Sequence, residues 1–395
     1  MTTTAPRGTA DGRAAEERTE ERTRAEVREH RRPADRPALP PPRGDLSEAV
    51  TDFLLGRSRS LPGPRAAADA DPYGEDLHLA LHLAYELHYR GFDGVPDDME
   101  WDPDLLRLRA LLERRFEDAL RERRGRSGGV REVFDALLTE PVDGSGASHY
   151  LLRHGTLDQL REYAVLRSVY QLREADPHLW VVPRLRGRAK AAMMTVQYDE
   201  YGCGRAEQMH ARLFADLMED LGLDSGYGRY LPFVGAPALA AVNLMSLFGL
   251  HRSRRGALVG HFAALEVTSS PAASRIAAAM RRMGAGEAAI RFYDEHVEAD
   301  AVHEQLVRRD VVGGLLADEP DLADDVTFGV EATVLLEDAL SDSATRAWEA
   351  GTTALRAPLG VGDGTGDGTG DGPGRAHVPT TPPTGGDGDA SRRSG

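Results

Sequence analysis

Residues 292–307 read FYDEHVEADAVHEQLV and set His296, Asp300 and His303 at i, i+4 and i+7. On a helix that turns by about 100° per residue, those three side chains fall within about 60° of arc. Phe292, Val297, Val302 and Leu306 supply an apolar side on which such a helix packs. Two imidazoles and a carboxylate on one buried stripe are what a metal ion requires and what an apolar core avoids. Asp294, Glu295, Glu298 and Glu304 also permit a plainer reading, a charged solvent face that contains histidines. The segment alone leaves both readings open, and the rest of the chain decides for metal.

On either side of this stretch the pattern is helical almost throughout. Leucine and alanine recur at helical spacing over 75–92, 104–123, 156–175, 206–223, 238–252, 256–270 and 287–310. Pro177, Pro183, Pro232, Pro271 and Pro320 fall between these stretches, where helix breakers belong. No run of alternating β-branched residues competes, so the expected class is all-α. Residues 1–44 are charged and then Pro-rich, and residues 357–395 carry GDGTGDGTGDGPG. Both lack the branched apolar and aromatic content needed to order a chain and are expected to be disordered. The four-residue spacing of Asp363, Asp367 and Asp371 suits neither an EF-hand loop nor a nonapeptide β-roll, so no calcium site is expected there. The loop-rich stretch 139–148 divides an expected N-terminal helical extension, 45–145, from a main bundle, 146–356.

Further metal-ligand types lie in that bundle. In TVQYDEYGCGRAEQMHARLF, Glu200 precedes His210 by ten residues. An ideal helix would leave these two side chains about 80° apart, so a kink is needed for both to reach one ion. Gly202 and Gly204 supply the place for it. Glu266 sits in the apolar run HFAALEV, where an unpaired carboxylate is expensive to bury. Glu174 ends a helical stretch just before Asp176-Pro177. Together these are the carboxylates Glu174, Glu200, Glu266 and Asp300 with the imidazoles His210, His296 and His303. Four negative charges balance two divalent cations, and such a set is similar to carboxylate-rich dinuclear iron sites in helical bundles. Zinc more usually takes four ligands and favours thiolate or imidazole. Manganese stays open on ligand type.

The segments READPHLWVVPRL, QYDEYGCGRAEQMH, NLMSLFGLHRSRRGALVGHFAALEVTSS and FYDEHVEADAVHEQ resemble the iron-containing redox enzymes of the haem-oxygenase-like diiron oxidase superfamily. The resemblance covers roughly residues 150–350, with YGEDLHLALHLAYELHYRGF as part of an N-terminal extension. The family's His-x3-Asp-x2-His signature is matched by His296, Asp300 and His303, and its Glu-x9-His arrangement by Glu200 and His210. Glu174 and Glu266 fall where the N-oxygenating branch places its first and its additional carboxylate. The resemblance implies a seven-helix haem-oxygenase-like bundle without haem, two non-haem iron ions, and O2 as co-substrate. It also implies oxidation of a small organic molecule by N-oxygenation, oxidative decarboxylation or carbon–carbon cleavage.

Rival assignments remain inside the chain. Glu207-x-x-His210 has ferritin-type spacing, but no second Glu-x-x-His stands at a matching position, which favours Glu200. His78, His82 and Glu86 share a helix face and read as packing of the extension rather than a second metal site. His178 reads as a helix-start or packing residue. Cys203 invites comparison with thiaminase-like cysteine hydrolases of the same fold, yet no cation or helix N-terminus is in evidence to activate it, so it reads as a small residue in a kink. A non-catalytic iron-binding or storage module is the alternative outside enzymology. Tyr198, Tyr201, Phe292 and Tyr293 neighbour the ligands and read first as core packing, second as pocket lining.

Composition bounds the partners. With 48 basic against 64 acidic residues the formal charge is −16, which opposes binding to nucleic acid or an anionic membrane. The run LLERRFEDALRERRGR interleaves its arginines with acids and reads as an exposed helix face. A single cysteine rules out an internal disulfide and fits a reducing, cytoplasmic setting. No signal-peptide core or membrane-spanning run is present. No flavin or nicotinamide fingerprint occurs, which leaves the electron supply open, with an external donor among the options. The pattern leaves a homodimer open.

Overall fold

The Thr156 hydroxyl accepts a hydrogen bond from the backbone of Gln159, whose side-chain oxygen accepts one from the Thr156 N–H, and this reciprocal cap starts a helix where the apolar periodicity begins. Asp102 caps the helix that begins at Pro103, its side chain accepting from the backbone of Asp104 and Leu105. The computed structural model describes residues 36–124, 128–139 and 144–360, and no described residue lies in a strand. Before the bundle come α1 (Asp45–Leu54), α2 (Pro64–Asp69), α3 (Glu75–Glu86), α4 (Pro103–Arg123) and α5 (Val130–Leu137). Then follow α6 (Ala147–Arg153), α7 (Leu157–Gln171), α8 (Asp176–Leu179), α9 (Gly187–Glu200) and α10 (His210–Asp220). The chain continues through α11 (Ala236–Leu250), α12 (Arg255–Met283), α13 (Glu287–Leu306), α14 (Gly313–Asp318) and α15 (Ala323–Glu349).

α12 is the axis of the bundle, with α13 and α15 packed along it and α10 against α13. The approach of α12 to α15 is backbone on backbone. A Cβ at Gly260 would lie 2.8 Å from the carbonyl carbon of Val326, and one at Gly329 would lie 2.7 Å from that of Ala257. Only glycine permits such an approach. α11 is apolar on all sides and buried almost from end to end, as a helix without a polar face must be. It packs against α15 and α12 of the bundle and against α3 of the extension. No described helix is long and apolar enough to cross a membrane.

All described residues fall in one compact unit. The expected disorder of 1–44 needs correction over 36–44. There the Arg43 side chain is 1% exposed, paired with Glu75 and donating to Leu231 O, while Pro37 and Pro40 are buried. Residues 1–35 and 361–395, with the Asp363, Asp367 and Asp371 repeat, lie outside the described residues.

Pro271 is not a breaker, because α12 runs through it. An internal proline costs one helical hydrogen bond, and the packing of α12 against α13 and α15 on both sides of it offsets that cost. The helix carrying His296 and His303 passes into a π-helical turn, Val307–Val312, before α14. The helix expected over 206–223 begins only at His210.

Candidate metal centre

Three backbone features deliver the carboxylates and imidazoles to one place. α7 ends at Gln171, and Glu174 sits in the turn before α8, where Ala175 takes a left-handed conformation (φ 74°). Glu200 is the last residue of α9 and His210 the first of α10. Between them the chain reverses through Gly202 (φ 67°), Cys203 (φ 53°) and Gly204 (φ 81°). A Cβ on Gly202 would stand 2.6 Å from the Gln208 carbonyl carbon, so glycine is required for the loop to fold back. The kink expected from spacing is thus a full break between two helices, which removes the 80° mismatch of a continuous one. Glu266 projects from the middle of α12, and His296 and His303 from α13.

Two groups of side chains result, Glu174 with His210 and His296, and Glu200 with Glu266 and His303. In each group the atoms able to bind a metal lie within 4.8 Å of one another. Glu200 touches both groups, with Oε2 3.0 Å from His210 Nδ1 and Oε1 3.9 Å from His303 Nδ1. His303 Nδ1 is also 3.3 Å from Glu266 Oε2, and His296 Nε2 is 3.4 Å from Glu174 Oε1. Asp300 lies on α13 between the two histidines, and its side chain is outside the described residues.

The imidazoles are oriented from behind. His296 Nδ1 donates to Phe292 O at 2.7 Å, which leaves Nε2 as a lone-pair donor towards Glu174. His303 Nε2 lies 3.1 Å from Asp199 Oδ2, which aims Nδ1 at Glu200 and Glu266. Asp199, which no motif spacing marks, stands behind His303. Its position next to Glu200 was the available signal. Burial works against ionisation of Glu200, but His210, His296 and His303 outweigh it and hold the carboxyl down to about 2. The Tyr170 hydroxyl is pushed well up, first by burial and then by Glu174, Glu200 and Glu266.

These residues fit a metal. Three carboxylates and three imidazoles are buried together, and Glu174 Oε2 has no hydrogen-bond partner among the described residues. Buried carboxylates at this density need cations, and oxygen and imidazole donors suit iron or manganese.

A cavity of about 320 Å³ opens onto Glu174, Glu200, Glu266 and His296. Leu166, Met245, Phe262 and Phe292 form apolar walls, while Arg167, Arg275 and Glu337 line it elsewhere. Phe292 and Tyr293 therefore line the cavity as well as packing in the core. Tyr201 instead donates to Asp176 at 2.6 Å, and Tyr198, 56% exposed, neither packs nor lines it. His178 lines the cavity, and burial lowers its pKa to about 4. Glu207 is exposed on a 3-10 turn, away from both groups. His78, His82 and Glu86 are buried without forming a metal-sized group among the described residues. Cys203 donates to Asp199 Oδ1 at 3.3 Å, a bond that pushes its thiol pKa up, and it does not line the cavity.

Residues 161–338 match the family model described as iron-containing redox enzyme. The matched segment belongs to that family. The match supports an iron-dependent redox role, and Glu174 through His303 lie inside the matched residues. The all-helical architecture agrees with the haem-oxygenase-like bundle expected from the sequence. α1–α6 precede the match. Comparison with curated proteins gave no match.

Proposed function

We propose that this protein is a non-haem diiron oxidase or oxygenase that uses O2 to oxidise a small organic substrate. The observation that carries the reading is Glu200, whose two oxygens face different three-residue groups. A carboxylate so placed could serve as a ligand to metal in either group. One iron would be held by Glu174, His210 and His296, the other by Glu266 and His303, with Asp300 completing the set. Bound iron supplies the O2 chemistry and the protein supplies what surrounds it. Asp199 and Phe292 O fix the ring orientations, and the apolar walls exclude water from the reacting end of the cavity. The cavity volume suits a small molecule. The thiol-hydrolase alternative is disfavoured, because a nucleophilic cysteine needs a lowered pKa and Asp199 raises that of Cys203.

Anaerobic Fe(II) titration of the purified protein tests the reading. Two Fe(II) should bind per chain, His296→Ala should lose at least one, and O2 should then oxidise the pair with a change in the optical spectrum. Tight binding of a single zinc with no uptake of iron refutes it. Accumulation of iron far beyond two per chain, with no organic substrate consumed, replaces it with storage.

A further inference from the structure

Glu174 is held differently from the other acids of the centre. Its side chain meets His296 through Oε1 and has no hydrogen bond at Oε2 among the described residues. Its position therefore depends on the backbone of the turn that carries it. That turn is irregular: Arg173 N bonds Tyr170 O, Glu174 N bonds Gln171 O, and Ala175 adopts a conformation that residues with a Cβ rarely take. A strained turn persists only where its surroundings over-determine it.

The surroundings here come from the extension. Arg173, the residue before Glu174, is 1% exposed and donates from Nη1 to Glu86 Oε2 at 2.7 Å. Glu86, equally buried, is the last residue of α3, more than seventy positions before the family-matched segment begins. Tyr227 donates to both Glu86 oxygens, at 2.8 and 2.9 Å, and fixes the carboxylate in turn. The Arg173 guanidinium lies 4.2 Å from the Tyr89 ring centre, and Arg90 Nη2 reaches Leu172 O at 3.4 Å. The end of α3 and the residues after it thus grip residues 172 and 173 from three sides. A buried ion pair is weak evidence for stability, because removing both charges from water costs about as much as their attraction returns. Here the pair ties Arg173 to the end of α3 by a 2.7 Å hydrogen bond.

The geometry points to Glu86 as a positioning residue for the metal centre: through Arg173 it sets the turn that presents Glu174. The N-terminal extension then belongs to the centre's scaffold. This inference rests on the metal reading above. The test is stepwise Co(II) titration of the full-length wild type, Glu86→Gln and a control, Glu113→Gln, each followed by its d–d absorption, with thermal melting in parallel. Glu113 is a buried acid of α4 that bonds Tyr85 and His251 and does not touch the turn. Glu86→Gln should weaken one of the two Co(II) steps by about tenfold or more and alter its spectrum, the range seen when residues behind metal ligands are changed. Glu113→Gln should leave both steps unchanged. A folded Glu86→Gln protein with two wild-type steps overturns the inference and leaves the metal reading intact. Equal losses in both variants also overturn it, assigning the effect to general loosening. A wild type that binds fewer than two Co(II) overturns the metal reading itself.

Discussion

Gly260→Ala sets two known effects against each other. Alanine favours the interior of a helix over glycine by about 1 kcal/mol. At this position, however, the added methyl group would stand 2.8 Å from the Val326 carbonyl carbon and 3.0 Å from its Cα. Carbon atoms pack at about 3.5–4.0 Å, so the shortfall is at least about half an ångström. The obstacle is helix backbone, which has no rotamer to change, and Gly329 makes the reciprocal approach to Ala257. Overpacking costs typically about 1–3 kcal/mol. With the upper end of that range opposed by the gain in propensity, Gly260→Ala should destabilise by about 2 kcal/mol. Glu266 lies about 9 Å further along the same helix, so separation of α12 from α15 should also weaken metal binding. Urea denaturation gives the stability change, and Fe(II) titration the second effect. A variant as stable as wild type would show that propensity wins and that the two backbones do not meet as described.

Three further outcomes are expected. Burial lowers the pKa of His78 to about 4, against about 6.5 in an unfolded chain. The unfolded state therefore takes up the proton first as pH falls. Stability present above pH 6.5 is lost down to pH 4, by about 2 kcal/mol at pH 5. His78→Gln should flatten the urea-midpoint profile over that window, and an unchanged profile would refute the assignment. Asp199→Asn should weaken the Glu200, Glu266 and His303 group by about tenfold in metal titrations, while Cys203→Ala leaves it unaltered. Equal affinity in the Asp199 variant would remove its role behind His303. A chain starting at residue 45 should melt below one starting at residue 36, because Arg43 is lost. Removing a buried group that bonds Glu75 and Leu231 O costs about 1–3 kcal/mol, and identical melting would show those contacts to be idle.

Helical class was legible in the sequence because it is a local property, written in the spacing of leucines and alanines and in the absence of alternation. The positions that could ligate a metal were legible for a related reason: glutamates and histidines in apolar runs stand out without any knowledge of contacts. The two glycines around Cys203 likewise marked a break in the chain. Tertiary structure decided the rest, because the deciding forces act between segments far apart in sequence. Pro271 stays helical through packing on both sides of α12, which outweighs its local penalty. Arg43 and the prolines of 36–44 are held by partners from α3 and from residues near 230, which composition cannot register. Which acid accompanies which imidazole depends on where the end of α7, α9, α10, α12 and α13 meet. So does the role of Asp199 behind His303 and of Glu86 behind Arg173. Each of those pairings joins groups from separate elements, and only the packed bundle brings them within a hydrogen bond.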